Sequence, residues 1–142
     1  MAGTVTATTT SRKGKGIVRI NASVDYSTSM AAVTIGSAYG RLVRVLIDPV
    51  AGAGATMTST TDVLLTDADT GAPIISDLSA GAAANAYRPT EVITDNAGVA
   101  VAAAATAVDV NRDIFVAGKI NLALANGGAS ETGLICLIVE EG

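Results

Sequence analysis

Residues 17–26, IVRINASVDY, alternate apolar and polar side chains almost without a break. Val18, Ile20, Ala22, Val24 and Tyr26 take the even positions, and Arg19, Asn21, Ser23 and Asp25 the odd ones. A helix, with its period of 3.6, cannot gather such a set on one side. The alternation predicts a half-buried β-strand whose polar residues face out. A strand also leaves backbone N–H and C=O groups to be paired, so this stretch commits its neighbours to a sheet.

Later segments extend the pattern. AAVTI (31–35) predicts a short strand, with Gly36 and Gly40 flanking a turn into RLVRVLIDPV. There Val43, Val45 and Ile47 share one face and Leu42, Arg44 and Leu46 the other, which predicts cover on both sides, with Pro49 closing the strand. GAGA (52–55) is a connector. TMTSTTDVLLTD (56–67) and APIIS (72–76) predict a hairpin about ADTG (68–71). After a small-residue loop ending in AYRP, TEVIT (90–94) and GVAV (98–101) predict a second pair around DNAG. AAAATAVDV (102–110) lacks the amphipathicity of a stable helix and reads as a loop with at most one helical turn. DIFVAG (113–118), KINLALA (119–125) and LICLIVEE (134–141) complete the set. About eight or nine short strands with Gly-rich turns predict an all-β protein, an antiparallel β-sandwich, jelly roll or small barrel. The sandwich (jelly-roll) domain is expected over 17–142. Residues 1–16, Thr-rich with only Val5 as a sizeable apolar side chain, are expected as an extended, flexible N-terminal arm that orders as a strand where a partner offers an edge.

A length of 142 residues suits one domain. Although 49% of the residues are hydrophobic, much of that is Ala, and the aromatics are one Phe and three Tyr with no Trp. Apolar area drives burial, so a core of Val, Ile and Leu alone is thin for an isolated domain, and an oligomer is expected. Three of the nine basic residues, Arg12, Lys13 and Lys15, lie within 1–16; the six that remain face 13 acids, a body of net charge −7. Such a body repels nucleic acid and anionic membranes, and three cations add only weak, salt-sensitive affinity, so no nucleic-acid partner is expected. Residues 1–16 lack the apolar run of a secretory signal, and GVAVAAAATAV (98–108) is about half the length of a spanning helix. A soluble product made in the cytoplasm, with no membrane partner, is expected. Cys136, the one cysteine, lies in LICLIV and reads as a small buried hydrophobe.

Catalytic signatures are scarce. With no His, Ser–His and Cys–His nucleophilic pairs are ruled out, and sugar chemistry would want an aromatic platform that a chain without Trp supplies poorly. Asp67, Asp69 and Gly71 resemble the start of a calcium loop, but the twelfth position is Leu78 rather than Glu, and the same residues suit a hairpin turn. No phosphate loop of the GxxxxGK[ST] type is present. No enzyme activity, metal or cofactor is expected.

Four stretches, GRLVRVLIDPV, TDVLLTDADTGAPI, AYRPTEVITDNAGVAV and FVAGKINLALANGGASETGLICLIVEE, resemble in their order the small jelly-roll proteins that decorate the capsids of tailed bacteriophages. The resemblance covers roughly two-thirds of the chain, from about residue 40 to the end, and it is one of strands and turns. It implies a homotrimeric cement protein on the outer capsid surface of the virion, clamping major capsid protein subunits against internal DNA pressure. Its arm would reach a neighbouring capsid subunit or a neighbouring decoration trimer. In this sequence that role falls to Thr4, Val5, Thr6, Thr8, Arg12, Lys13 and Lys15, and the candidates for the trimer interface are Leu134, Ile135, Leu137 and Val139. A head-fibre base or tail protein shares such composition but would carry a repetitive shaft. A lectin-like binding module would want aromatic platforms or a complete metal site.

Overall fold

The computed structural model describes residues 3–12, 16–50, 52, 54–81, 83–92, 102–103, 108–109 and 111–141. Its strands are β1 (Thr4–Arg12), β2 (Ile17–Tyr26), β3 (Met30–Asp48), β4 (Ala55–Thr56), β5 (Asp62–Asp67), β6 (Pro73–Ser79) and β7 (Asn85–Tyr87). They continue with β8 (Thr90–Val92), β9 (Ala102–Ala103), β10 (Val108–Asp109), β11 (Asn111–Asp113), β12 (Phe115–Ala125) and β13 (Glu131–Glu140). No helix occurs among the described residues, so the all-β expectation holds.

The main sheet runs β1-β2-β13-β3-β12-β5-β6, with β7 added to β3 and β4 to β13; every pairing in it is antiparallel except β4 with β13. It curls because β3 serves two neighbours in succession. Met30–Arg41 pairs with β12, and Arg41–Asp48 pairs with β13. The β1–β2 end folds back over the first half of β3, so that a Cβ on Gly36 would lie 2.9 Å from Thr9 Oγ1 and 3.1 Å from Ile20 Cδ1. One core fills the concavity, with Ile20, Val45, Leu65, Leu122, Ile135 and Leu137 completely buried. This is the β-sandwich, jelly-roll type of architecture.

β2 follows the sequence residue for residue. Val18, Ile20, Ala22, Val24 and Tyr26 are buried and the residues between them are not. Several other segments depart from the expectation, each for a local reason. Gly36 and Gly40 make no turn: β3 runs through both as one strand of 19 residues. Their missing side chains allow close approach instead, since a Cβ on Gly40 would strike the carbonyl oxygen of Glu140. Leu42 is not on the face of Arg44 and Leu46 but in the core, 1% exposed. The register of β13 against β3 shifts between Ile138 and Val139, which pair with Arg44 and Leu42, and the bulge at Val43 turns Leu42 inward.

DIFVAG and KINLALA are likewise largely one strand, β12, carried through Gly118 at a φ of 132° that glycine tolerates and other residues avoid. Thr90–Val92 pairs with Asn111–Asp113; its expected partner, 98–101, lies outside the described residues. Ala102–Ala103 pairs with Val108–Asp109, where a loop was expected. The first is a pairing across about twenty residues and the second a tight local hairpin, and short, weakly patterned segments announce neither.

The bulge makes a direct test. Leu42→Ala empties core volume and should cost about 2–5 kcal/mol, whereas Val43→Ala, on the half-buried face, should cost clearly less. Chemical denaturation of the two variants reads the difference, and a larger loss at Val43 would contradict the bulge.

Candidate docking surface

β13 lies between β2 and β3 and shows two different faces. Ile135, Leu137 and Val139 point into the core and are 0% exposed. They are therefore not available as a trimer interface, which corrects that expectation: the apolar run of this strand is explained by its own protomer's core. Of the four candidates only Leu134 belongs to the outer face, with Cys136 and Ile138. Register places Ile138 between Arg19 and Arg44, and Cys136 between Asn21 and Leu46. Here Leu134, Cys136, Arg19 and Leu46 line an outer groove of about 370 Å³, with Asn85 and Ala86 of β7 as one wall. Cys136 is 1% exposed even on this face. Burial pushes its thiol pKa up, and the charge and hydrogen bond of Arg19 work against that rise.

The N-terminal segment lies on the chain's own sheet. β1 pairs along its whole length with β2, from Thr4 opposite Asp25 to Arg12 opposite Ile17. Among the described side chains of β1, Val5 packs against the core, and Thr4, Thr6 and Thr8 are exposed. Lys13 and Lys15 lie outside the described residues. The strand propensity expected of the arm is realised, and the edge it uses is β2 of the same protomer.

Sequence reasoning missed a third feature. Tyr26 is buried and Tyr87 half-buried, its hydroxyl donating to the Ser79 carbonyl at 2.9 Å. The other two aromatics are in the open, Tyr39 at 65% and Phe115 at 72% exposure. Phe115 pairs with Arg41 and Ala117 with Tyr39, so the two rings sit on adjacent strands in diagonal positions on the outer face. Around them the backbone is held firmly. Arg41 bridges Asp113 at 3.0 Å and Glu140 at 3.1 Å, and the Tyr39 amide donates to Glu141 at 2.7 Å. The signal was present in the sequence: Phe115 falls out of phase with Val116, Ile120, Leu122 and Leu124, the set that β12 buries.

At the opposite end of the sheet, a buried carboxylate ties three segments together. Glu131, 2% exposed, accepts from the Tyr26 hydroxyl at 3.1 Å, the Thr58 amide at 2.6 Å, the Thr58 hydroxyl at 2.8 Å and the Gly128 amide at 2.5 Å. Thr61 lies 3.2 Å from the Tyr26 oxygen. Burial works to raise the Glu131 pKa, but the bonds from Thr58, Gly128 and Tyr26 outweigh it and hold the carboxyl below its ordinary value. Burial pushes the Tyr26 phenol up to about 12, against the Thr61 bond and with the help of the Glu131 charge. Both carboxylate oxygens are thus engaged in holding the end of β2, the 58–61 loop and the β12–β13 turn. The Asp67 carboxylate is likewise taken up by its turn, accepting from the Asp69 amide at 3.0 Å and the Thr70 hydroxyl at 2.9 Å.

Because the Glu131 pKa is lowered by folding, its stabilisation is present above the unfolded carboxylate pKa and is lost as pH falls through the folded value. Glu131→Gln should cost about 1–3 kcal/mol at neutral pH, where amide N–H groups face former donors. It should also flatten the acid side of the stability profile, read as thermal midpoint against pH; an unchanged acid slope would exclude Glu131 as its source. No protein-family model matches the sequence, and no curated protein or solved structure matches the chain.

Proposed function

We propose that the protein is a structural virion component, a decoration or cement protein that binds the outer surface of a phage head as a homotrimer and stabilises it against internal DNA pressure. The observation that carries this reading is the exposure of Tyr39 and Phe115 together. A chain with only four aromatic residues leaves two of them side by side in solvent, on a sheet face braced by ion pairs. Exposed aromatics on a rigid platform are the usual anchors of a protein interface. The sequence resemblance to capsid decoration proteins supplies the partner, the major capsid protein together with further copies of this chain.

The physical requirements fit a cement role. Many copies on one shell bind with avidity, so each contact can be modest. The acidic body, net −7 outside residues 1–16, keeps decorated particles from associating with one another and from binding nucleic acid.

Empty expanded capsids mixed with the purified protein and imaged by electron microscopy test the reading. Density is expected over the shell; density confined to the tail, or none, would remove it. The double variant Tyr39→Ala, Phe115→Ala should keep its stability within about 1 kcal/mol, because both side chains are exposed. It should nevertheless leave capsids undecorated at concentrations where the wild type saturates them, as measured by co-sedimentation.

A further inference from the structure

The two ends of the main sheet are managed differently. β6, at one end, starts at Pro73, and its register against β5 shifts twice, between Val63 and Leu65 and again between Leu65 and Thr66. Proline and irregular register blunt an edge against further pairing. β1, at the other end, has neither protection. It is nine residues long, contains no Pro or Gly, carries no charge before Arg12, and keeps unbroken register with β2. No described strand pairs with its outer side.

Which backbone groups face that side follows from one bond. The Glu141 amide donates to the Gly16 carbonyl. Even-numbered residues of β2 therefore direct their backbone groups to β13, and odd-numbered ones direct theirs to β1. Through the register of Thr4 with Asp25, the even residues of β1 bond β2, and Val5, Ala7, Thr9 and Ser11 present N–H and C=O to the open side. A row of unpaired groups along a regular strand is a template for another strand.

We infer that β1 pairs with the β1 of a second copy of this chain, antiparallel, joining two sheets into one across a two-fold axis. Charge selects this partner and this direction. Arg12 ends β1, and Lys13 and Lys15 follow it in the sequence, while the exposed Asp25 stands opposite Thr4 at the other end. Parallel pairing would stack the basic ends of two copies. Antiparallel pairing with Arg12 opposite Thr4 of the other copy sets the two Arg12 positions roughly 30 Å apart, about nine residues at the strand rise, and places each two strand spacings, roughly 10 Å, from the Asp25 of the other copy. Cross-strand threonine pairs from Thr4, Thr6, Thr8 and Thr10 complete the contact. No capsid is needed, so the free protein tests the inference, and its failure leaves shell binding to the capsid assay.

Sedimentation velocity on the full chain, wild type beside Ala7→Pro, reads the contact. Ala7 is exposed and directs its N–H outward, so proline removes a donor from the open edge and leaves the β1–β2 ladder intact. The β1 contact doubles whatever assembly the chain otherwise forms. The wild type should therefore sediment at twice the mass of Ala7→Pro, a dimer against a protomer or paired trimers against one trimer. The doubling should be weakened by about tenfold or more in the variant, with an unchanged circular dichroism spectrum. A wild type at protomer mass, or a variant that associates equally well, overturns the inference. Should Ala7→Pro misfold, Thr8→Cys decides, because Thr8 is exposed and this register sets it opposite itself. Mild oxidation should give a disulfide-linked dimer that the wild type, whose cysteine is buried, does not form; absence of that dimer overturns the pairing.

Discussion

The pairing of β13 with β2 on one side and the second half of β3 on the other is the contact from which the rest of the molecule is built. Ten residues of β13 are in register with β2, and the inner side chains Ile135, Leu137 and Val139 are wholly buried. A chain poor in aromatics has to bury aliphatic side chains completely to gain enough from the hydrophobic effect, and a strand flanked on both sides is where this is possible. The same pairing ties the C-terminal end of the chain to residues 17–26. The core thus closes only once distant parts of the sequence have met, a topology of slow, non-local contacts.

Curvature then follows from β3. Two unlike halves of one strand face β12 and β13, and the bulge at Val43 lets Leu42 and Val45 both reach the core. Without the extra residue a strict alternation would send one of them outward. Register places Tyr39 and Phe115 together on the outer face, while Glu131 closes the far end with bonds to three separate segments. A satisfied buried carboxylate fastens one end of the sheet, and the exposed Tyr39 and Phe115 lie at the other. Its N-terminal strand is held mainly by ladder hydrogen bonds and Val5, so it belongs to the sheet without belonging to the core.

Much of this was legible beforehand, and the reasons differ from element to element. In β2 one face meets the core and the other meets solvent, so period two appears in the side chains themselves. The hairpin about Asp67–Gly71 was legible because its turn chemistry is local, an aspartate accepting from its own following residues. β13 was recognised as a strand but misread in its use, since apolar residues on both faces fit a subunit interface as well as a protomer core. Glu131 passed unnoticed, because nothing in ETGLIC distinguishes a buried carboxylate from a solvated one.

By itself, the sequence determined the all-β class, the inward set of β2, the turn at Asp67 and the separation of a basic N-terminus from an acidic body. These depend on alternation, turn residues and charge, all of which act between near neighbours in the chain. Tertiary structure alone decided that Gly36 and Gly40 lie within a strand, that Leu42 turns inward, that Glu131 is buried and that Tyr39 and Phe115 share a face. Each of these depends on which remote strand lies alongside, and close packing between such strands sets where a side chain is excluded, bent inward or left in water.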